Sequence, residues 1–227
     1  MNDLIIFGSA EIAELAYFYF KHDSSYRVVA FTVDDAYAKE STFNKLPLIP
    51  FSEIVSNFSP EKYAMHVALS YARLNQLREE KFNQAKSSKY ELASYVSSKS
   101  AFWQDLNIGE NCFILENQTI QPTVKIGNNV MLWSGNHIGH ASTIDDHAYI
   151  SSHVVISGHC KIGKRSFFGV NSTLKDFTEI GDDCFIGMGS LITSNIASGS
   201  VVLEKSSEVF NPEDRRAKLI KKSYFNF

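Results

Sequence analysis

The amino-acid sequence predicts an α/β domain followed by a parallel β-solenoid and a short terminal segment. Three observations carry this expectation. Residues 3–33 show a strand, helix and strand pattern, a large apolar residue recurs at every sixth position from Ile108 to Ile192, and helix-start signals follow at Asn211. With 227 residues, of which 44% are hydrophobic, the chain is long enough to bury a core in each part.

The first strand is predicted at residues 3–8, DLIIFG, and the following segment SAEIAELAYFYFKHD has apolar residues at helical spacing. YRVVAFTVDDAY predicts a second strand that ends in paired aspartates, YAMHVALS a further strand, and ARLNQLREEKFNQAKSS a helix. Such a pattern binds a nucleotide at the carboxyl ends of its parallel strands. We therefore expect a Rossmann-like nucleotide-binding domain over residues 1–94.

The loop after the first strand departs from a dinucleotide fingerprint, which requires three glycines. Only Gly8 is present, and Ala10 and Ala13 stand where the other two would fall, with Glu11 between them. A carboxylate at the start of the helix would repel a closely bound pyrophosphate. An NAD-type site is therefore not expected.

A strict six-residue period governs the second half of the chain, and it fits neither the 3.6-residue period of a helix nor a hairpin sheet. It predicts a parallel solenoid over residues 95–204, with about five coils of three repeats stacked at roughly 4.8 Å. Four residues after each large residue comes a second inward position, which is mostly small. The fifteen large residues are Ile108, Ile114, Ile120, Ile126, Leu132, Ile138, Ile144, Ile150, Ile156, Ile162, Phe168, Leu174, Ile180, Ile186 and Ile192.

The three cysteines all occupy the small inward position of the repeat. Cys112, Cys160 and Cys184 are too few and too widely spaced for a disulfide framework or a zinc knuckle. We expect them to be buried core residues, because a free cysteine packs as a small hydrophobe.

Five of the seven histidines lie between residues 137 and 159, which raises the question of a metal site. His147, His153 and His159 each follow an inward isoleucine by three residues, so we expect them at equivalent corners of three successive faces, pointing apart. Vertical neighbours in the solenoid are separated by one coil, and the prism histidines do not have that spacing. No metal site is therefore expected within one chain, since ligands must converge on one ion.

The segment 205–227 is predicted to cap the open end of the solenoid, whose strand edges would otherwise stay unpaired. Asn211 is the expected helix cap, with Pro212 at the first helical position and Glu213 and Asp214 after it.

Charge and hydropathy set limits on partners and location. A net charge of −3 gives no electrostatic reason to bind nucleic acid. The opening segment does not have the pattern of a signal peptide, and the apolar stretches fall short of the roughly 18 residues that span a bilayer. A cytoplasmic location is expected.

The units IGKRSF, FGVNST, IGDDCF and IGMGSL resemble the repeats of the left-handed β-helix acyltransferases. More narrowly, the chain resembles sugar-nucleotide N-acyltransferases, of the amino-sugar N-acetyltransferase and sialic acid O-acetyltransferase type, which place a nucleotide-binding α/β domain before the prism. The resemblance implies a left-handed solenoid, acetyl-CoA as cosubstrate, a nucleotide-linked amino sugar as acceptor, a homotrimer and a role in surface glycan or lipopolysaccharide synthesis.

On this resemblance His140 matches the catalytic histidine, which faces a cleft between two subunits. An imidazole, with an ordinary pKa of about 6.5, is suited to accept the proton of an attacking amine. The acidic residue that usually follows is replaced by Ala141, so Asp145, Asp146 or a group from the adjoining coil would have to orient the ring. Tyr149 replaces a second histidine that contacts the acyl carbonyl, and its phenol could donate one hydrogen bond to a developing oxyanion.

The resemblance also assigns two binding sites. For the nucleotide, the matching positions are Gly8, Ser9, Asp34 and Asp35, although the paired aspartates could equally cap a turn. For acetyl-CoA, which corner backbone amides would contact, they are Gly158, Val170 and Met188. Gly158 could equally meet the requirement of a turn, and the basic tail could also contact the phosphates of acetyl-CoA.

Two other functions remain as alternatives. The protein could be a sugar O-acetyltransferase or a non-catalytic nucleotide-binding scaffold.

Overall fold

The computed structural model of the protein describes residues 2–225. The amino-terminal part consists of five strands, three α-helices and two short 3₁₀ turns, at Asp35–Tyr37 and Phe51–Glu53. Its elements in chain order are β1 (Asn2–Phe7), α1 (Glu11–His22), β2 (Tyr26–Val33), β3 (Thr42–Phe43), β4 (Leu46–Pro50), α2 (Ile54–Asn57), β5 (Tyr63–Val67) and α3 (Gln76–Ser87).

These five strands form one sheet in the order β3-β4-β2-β1-β5, parallel except for the β3/β4 hairpin. The predicted strands and both long helices are confirmed, and the amino-terminal part is an α/β domain. Helix α3 begins at Gln76 rather than at the preceding residues, because Arg73, Leu74 and Asn75 have positive φ angles of 50–67° that a right-handed helix cannot contain. The hairpin is an addition to the pattern expected from sequence.

Seventeen two-residue strands follow, and they build three parallel sheets around a common core. In chain order they are β6 (Tyr95–Val96), β7 (Asn107–Ile108), β8 (Phe113–Ile114), β9 (Thr119–Ile120), β10 (Lys125–Ile126), β11 (Met131–Leu132), β12 (His137–Ile138), β13 (Thr143–Ile144), β14 (Tyr149–Ile150), β15 (Val155–Ile156), β16 (Lys161–Ile162), β17 (Phe167–Phe168), β18 (Thr173–Leu174), β19 (Glu179–Ile180), β20 (Phe185–Ile186), β21 (Leu191–Ile192) and β22 (Val201–Val202).

The three sheets are the faces of a parallel β-helix, and the chain visits them in rotation. Face 1 contains β7, β10, β13, β16 and β19, face 2 contains β6, β8, β11, β14, β17, β20 and β22, and face 3 contains β9, β12, β15, β18 and β21. Each strand pairs with the strand one coil later, as Ile126 does with Ile144. The predicted period is confirmed, because these large residues fill one continuous core.

The small inward positions are also confirmed as core. Cys112, Cys160 and Cys184 are buried free thiols, and burial raises the pKa of the Cys112 thiol to about 12. Serine occupies the same position in other coils, and a backbone carbonyl accepts from its hydroxyl at Ser142, Ser166 and Ser172. Ser142 Oγ, for example, donates to the carbonyl of Ser157 and accepts from the backbone N–H of Cys160.

The corners of the prism have one repeating backbone conformation. The residue three positions after each large residue from Ile108 to Ile186 has a positive φ, as at Ala141, His147, His153 and His159 with φ of 55–66°. The three histidines therefore stand at equivalent corner positions on three different corners, as predicted. Asparagine is frequent at these positions because its side chain tolerates the left-handed conformation.

The α/β domain packs on face 2 of the prism through an apolar cluster that includes Phe20, Phe113 and Tyr149. A buried arginine of α3, Arg78, reaches into the prism and donates hydrogen bonds to the carbonyls of Asn129, His147 and Ala148. The docking surface thus combines aromatic packing with one cation that satisfies corner carbonyls.

The carboxyl-terminal helix begins later than predicted. Helix α4 spans Arg215–Phe225, and its cap is Asp214, whose Oδ1 accepts from the backbone N–H of Arg216 at 2.8 Å. Asn211 instead closes the turn before it, accepting from Glu213 N–H. The last residues of the tail lie outside the described range. Within residues 2–225 no helix is long and apolar enough to cross a membrane.

Candidate active site

His140 lies at the corner where β12 of face 3 turns into β13 of face 1. Its side chain is exposed, and it stands one coil before Gly158 in the same corner column. Two side chains and this glycine determine where the ring lies, and each comes from a neighbouring coil.

Gln121, from the preceding coil, holds His140 by two hydrogen bonds to one oxygen. Gln121 Oε1 accepts from the backbone N–H of His140 at 2.9 Å and contacts the ring Nδ1 at 3.1 Å. Within the described residues 2–225, nothing hydrogen bonds to Nε2 of this ring. Gln121 therefore takes the orienting position that the sequence left open, as a group from the adjoining coil.

Gly158 and His159 enclose the other side of the ring. A methyl group at Gly158 would lie 2.7 Å from Cε1 of His140, so a side chain there would collide with the imidazole. The ring of His159 meets that of His140 edge to face, with centroids 4.9 Å apart and an interplanar angle of 83°. His159 in turn stacks on exposed Phe177, with centroids 4.6 Å apart.

The contact between His140 and His159 was not expected from the sequence. Only His147, His153 and His159 were predicted to point apart, and a spacing of one coil plus one residue brings the rings of His140 and His159 together. His147 and His153 do stand on the other two corners. Among residues 2–225 no three His, Cys, Asp or Glu side chains are grouped so that they could hold a metal ion.

Asp145 does not lie beside His140 of the same chain. It lies after β13, at the corner between faces 1 and 2, whereas His140 lies at the corner between faces 3 and 1. Burial, together with the nearby carboxylates of Asp146 and Asp182, raises the pKa of Asp145. Asp146 lies at the same corner as Asp145, where its Oδ1 accepts a hydrogen bond from the backbone N–H of Asn128.

Tyr149 lies on face 2, opposite the corner that carries His140. It is buried against the α/β domain, where its hydroxyl accepts from Trp133 Nε1 and its ring packs on Tyr71 and Phe167. Burial raises the pKa of Tyr149 to about 12, so the phenol stays protonated and able to donate. One chain does not bring Tyr149 to its own His140, because a whole prism separates them.

The carboxyl ends of β1 and β2 form a second candidate site. Gly8 directly follows β1 and has a φ of 137°, and a methyl group there would lie 2.7 Å from the carbonyl oxygen of Ala68. Asp34 follows β2, and the ammonium of Lys81 on α3 lies 2.5 Å from its Oδ1 and over the ring of Phe7. The structure thus gathers Gly8, Asp34 and a cation that sequence reasoning missed at one edge of the sheet.

Asp35 has a structural partner at this edge. Its Oδ1 accepts from the backbone N–H of Ser52 at 3.2 Å, and the side chain of Ser52 together with this bond lowers the pKa of the carboxyl. Asp35 therefore holds a backbone amide 17 residues away, while Asp34 does not cap the turn that follows it and forms an ion pair instead. Ser9 lies between Gly8 and Ala10, the N-cap residue of α1, which provides no side-chain cap.

The positions expected to contact acetyl-CoA lie on two corners. Val170 and Met188 are exposed at the corner between faces 2 and 3, one coil apart, and within residues 2–225 their backbone N–H groups have no hydrogen-bond acceptor. Gly158 lies at the other corner of face 3, where its N–H donates to Asp176 Oδ1 at 2.9 Å. The backbone of Gly158 is not in the left-handed region, so close packing against His140 explains the glycine and a turn requirement does not.

Comparison with known proteins identifies the class of the prism. Residues 123–158 and 159–194 match the family model of the bacterial transferase hexapeptide, each match covering six repeats. This part of the chain is therefore similar to the hexapeptide-repeat family. A curated relative, the acyl-[acyl-carrier-protein]–UDP-N-acetylglucosamine O-acyltransferase of Sinorhizobium fredii, is 30% identical over 104 residues, which cover 43% of this chain and 38% of the relative. The chain thus matches little more than a third of that relative's length.

Solved structures match nearly the whole chain in fold. The acetyltransferase domain of PglB from Neisseria gonorrhoeae, also solved with acetyl coenzyme A, has a TM-score of 0.77 at 19% identity, covering 92% of this chain and 100% of that domain. A histidine-to-asparagine mutant of perosamine N-acetyltransferase from Caulobacter crescentus, in complex with CoA and GDP-perosamine, has a TM-score of 0.79 at 14% identity, covering 93% and 98%. At this identity the likeness establishes the shared two-part fold.

Proposed function

We propose that the protein is an acetyl-CoA-dependent N-acetyltransferase that acetylates the amine of a nucleotide-linked amino sugar for surface glycan synthesis. The observation that carries this proposal is the exposure and the hydrogen bonding of the His140 imidazole. Its imidazole is exposed at a prism corner and tied through Nδ1 to Gln121, and its Nε2 is open towards solvent.

This geometry suits general base catalysis. When the amine nitrogen attacks the carbonyl carbon of the thioester, Nε2 of His140 accepts a proton from that nitrogen. An amide bond forms, the carbon–sulfur bond breaks, and the sulfur leaves as a thiolate that can recover the proton from the imidazolium. A base in this position contributes about 10²- to 10⁴-fold to the rate.

The binding sites extend the same proposal. The unpaired corner amides of Val170 and Met188 would hydrogen bond to acetyl-CoA, because exposed N–H groups in a groove suit the carbonyl and phosphate oxygens of such a ligand. Gly8, Ser9 and Asp34 would hold the nucleotide, since ligands of parallel α/β sheets bind at the carboxyl ends of the strands. The fold neighbours support these assignments, since the perosamine enzyme was solved with CoA and GDP-perosamine.

The proposal includes assembly and organisation. A left-handed prism of about five coils over residues 95–204 would follow a Rossmann-like domain over residues 1–94, and residues 205–227 would cap its end. A homotrimer accounts for the separation of His140 from the exposed corner residues, because His140 of one chain could then approach Val170 and Met188 of another. A cytoplasmic location, where acetyl-CoA is available, completes the expectation.

The test is thiol release from acetyl-CoA with a panel of nucleotide-linked amino sugars, first narrowed by thermal shift. A ligand that binds only the native state raises the apparent stability of the protein by mass action. His140→Asn is expected to lower kcat by about 10²- to 10⁴-fold while the thermal shift by the nucleotide sugar persists. Wild-type activity in this variant would exclude His140 as the base. A product labile to mild hydroxylamine would indicate an ester and O-acetylation, and absence of turnover across the panel would favour a binding scaffold.

A further inference from the structure

Gln121 determines more than the position of the His140 ring, because its oxygen contacts both a backbone amide and a ring nitrogen. A backbone N–H can only donate, so the Gln121 atom 2.9 Å from His140 N must be the carbonyl oxygen and not the amide nitrogen. The same oxygen lies 3.1 Å from Nδ1. An amide oxygen can only accept, so Nδ1 must carry a hydrogen.

A neutral imidazole carries one hydrogen, on either Nδ1 or Nε2. With that hydrogen on Nδ1, the lone pair is on Nε2, the nitrogen that has no partner within the described residues 2–225. The alternative form, protonated on Nε2, would set two lone pairs against each other at 3.1 Å and would have no lone pair at the open nitrogen.

We propose that Gln121 is a positioning residue that selects the tautomer of His140, keeping Nδ1 protonated so that Nε2 is the base for the incoming amine. This inference rests on the proposed function. It assigns to a neutral amide from the adjoining coil the role that a carboxylate beside the histidine would otherwise have, and it explains how the site works with Ala141 at that position.

The surroundings make the tautomer depend on Gln121. The ring is confined by the backbone of Gly158 on one side and by the edge-to-face contact with His159, and neither group accepts a hydrogen bond from Nδ1. A ring flip that exchanged Nδ1 with Cδ2 would leave Gln121 Oε1 with only the backbone bond. The tautomer is therefore determined by one acceptor, which makes the role accessible to a single substitution.

The experiment uses full-length protein labelled with ¹⁵N in histidine, with the His140 signals assigned by their loss in His140→Asn. In the wild type, above the pH at which the ring is neutral, Nδ1 is expected to give the shift of a protonated nitrogen and Nε2 that of an unprotonated one. Gln121→Ala is expected to shift both ¹⁵N signals towards the average of the protonated and unprotonated values, because both tautomers would then be populated. It should also lower kcat by about 10-fold, the loss expected for one oriented hydrogen bond, with little change in KM.

Gln121→Glu is the matched rescue, because a carboxylate accepts the same two bonds. It is expected to restore the tautomer and the plateau kcat, while the rise of activity with pH moves to higher pH because the carboxylate stabilises the imidazolium. Asn128→Ala is the structural control. Asn128 Oδ1 accepts from Glu110 N–H at another corner, so its loss should loosen a corner without changing kcat or the His140 signals.

Two results would overturn the proposal. A wild-type ring protonated on Nε2 would contradict the assignment directly, and a Gln121→Ala protein with unchanged nitrogen signals would show that another group selects the tautomer. The NMR readout does not require turnover. If His140→Asn kept full activity while the wild-type tautomer was as expected, the catalytic role of His140 would be wrong and the structural assignment of Gln121 would stand.

Discussion

Gly158 provides the space that the imidazole of His140 occupies, since a methyl group at Gly158 would lie within 2.7 Å of Cε1 and 3.1 Å of Nε2. The obstacle is a side chain and not backbone, so Gly158→Ala should fold while the ring moves away. A displacement of about 1 Å in a reacting group can cost about 10²-fold in rate. We expect kcat to fall by 10- to 100-fold, by this estimate, with the melting temperature nearly unchanged. Steady-state kinetics and thermal melts check this, and wild-type kcat would show that the ring tolerates the methyl group.

Gly163→Ala is expected to have the opposite effect. A methyl group at Gly163 would lie 2.4 Å from the backbone carbon of Gly181 in the next coil, and backbone cannot rotate away. The stacked coils would have to separate locally, at a cost of about 1–3 kcal/mol in the free energy of unfolding. Denaturant unfolding measures this loss, and kcat of the folded fraction should persist because Gly163 is on another corner. A stability equal to that of Gly158→Ala would contradict the distinction between a backbone and a side-chain obstacle.

The free energy of unfolding should fall at acidic pH because His66 is buried in its neutral form. This residue on β5 is fully buried, and burial lowers its pKa to about 4, although the hydrogen bond of Nδ1 to the carbonyl of Ala93 opposes the shift and Arg78 adds to it. The folded pKa lies below the unfolded value of about 6.5, so the unfolded state binds more protons between these values. The contribution of neutral His66 to the free energy of unfolding is fully present above about pH 6.5. It is lost as the pH falls towards 4, and the total loss is about 3 kcal/mol.

The measurement is the free energy of unfolding by urea at a series of pH values. His66→Gln can still donate to the carbonyl of Ala93, so it should show a shallower decline between pH 6.5 and 4. Parallel pH dependence in the variant and the wild type would assign the acid sensitivity to other groups.

Arg78 is expected to stabilise the contact between the α/β domain and the prism. It is buried, and its guanidinium donates to three prism carbonyls and to Asn75. Arg78→Ala would leave buried carbonyls unpaired, which should cost about 2–4 kcal/mol in the free energy of unfolding. Arg78→Lys should recover only part of this, because an ammonium lacks the planar fork that reaches several acceptors.

Arg73→Ala provides the control for Arg78. Its partner is Glu80 and both side chains are more than half exposed, so the loss of this pair should change stability by less than about 1 kcal/mol. Similar urea midpoints for Arg78→Ala and Arg73→Ala would contradict the role of Arg78.

The sequence predicts the prism well, because its six-residue period is a local property of the chain. Inward positions recur at fixed intervals, so the burial of Ile150 or Cys160 follows from counting alone. The small inward position holds serine as readily as cysteine, since the neighbouring coil satisfies the hydroxyl of Ser142. The α/β domain is predictable for the same reason, from strands and helices whose patterns lie within short segments.

The site is predicted less completely. Counting coils places His140 on an exposed corner, and it also places residue 122 directly above it. This vertical spacing was the one signal that could have pointed to Gln121, but it gives no direction for the side chain. The contact of His140 with His159 and the ion pair of Asp34 with Lys81 depend on rotamers and on helix docking, which the spacing of residues does not contain.

The sequence by itself thus determined the two-part architecture, the inward residues of the repeat and the candidate histidine. The tertiary structure decided which groups orient that histidine, that Tyr149 and Asp145 lie on other sides of the prism, and that Arg78 joins the two parts. The physical reason is that periodic patterning determines which way a residue faces relative to its own element, whereas contacts between coils and domains depend on how separate elements come to lie against each other.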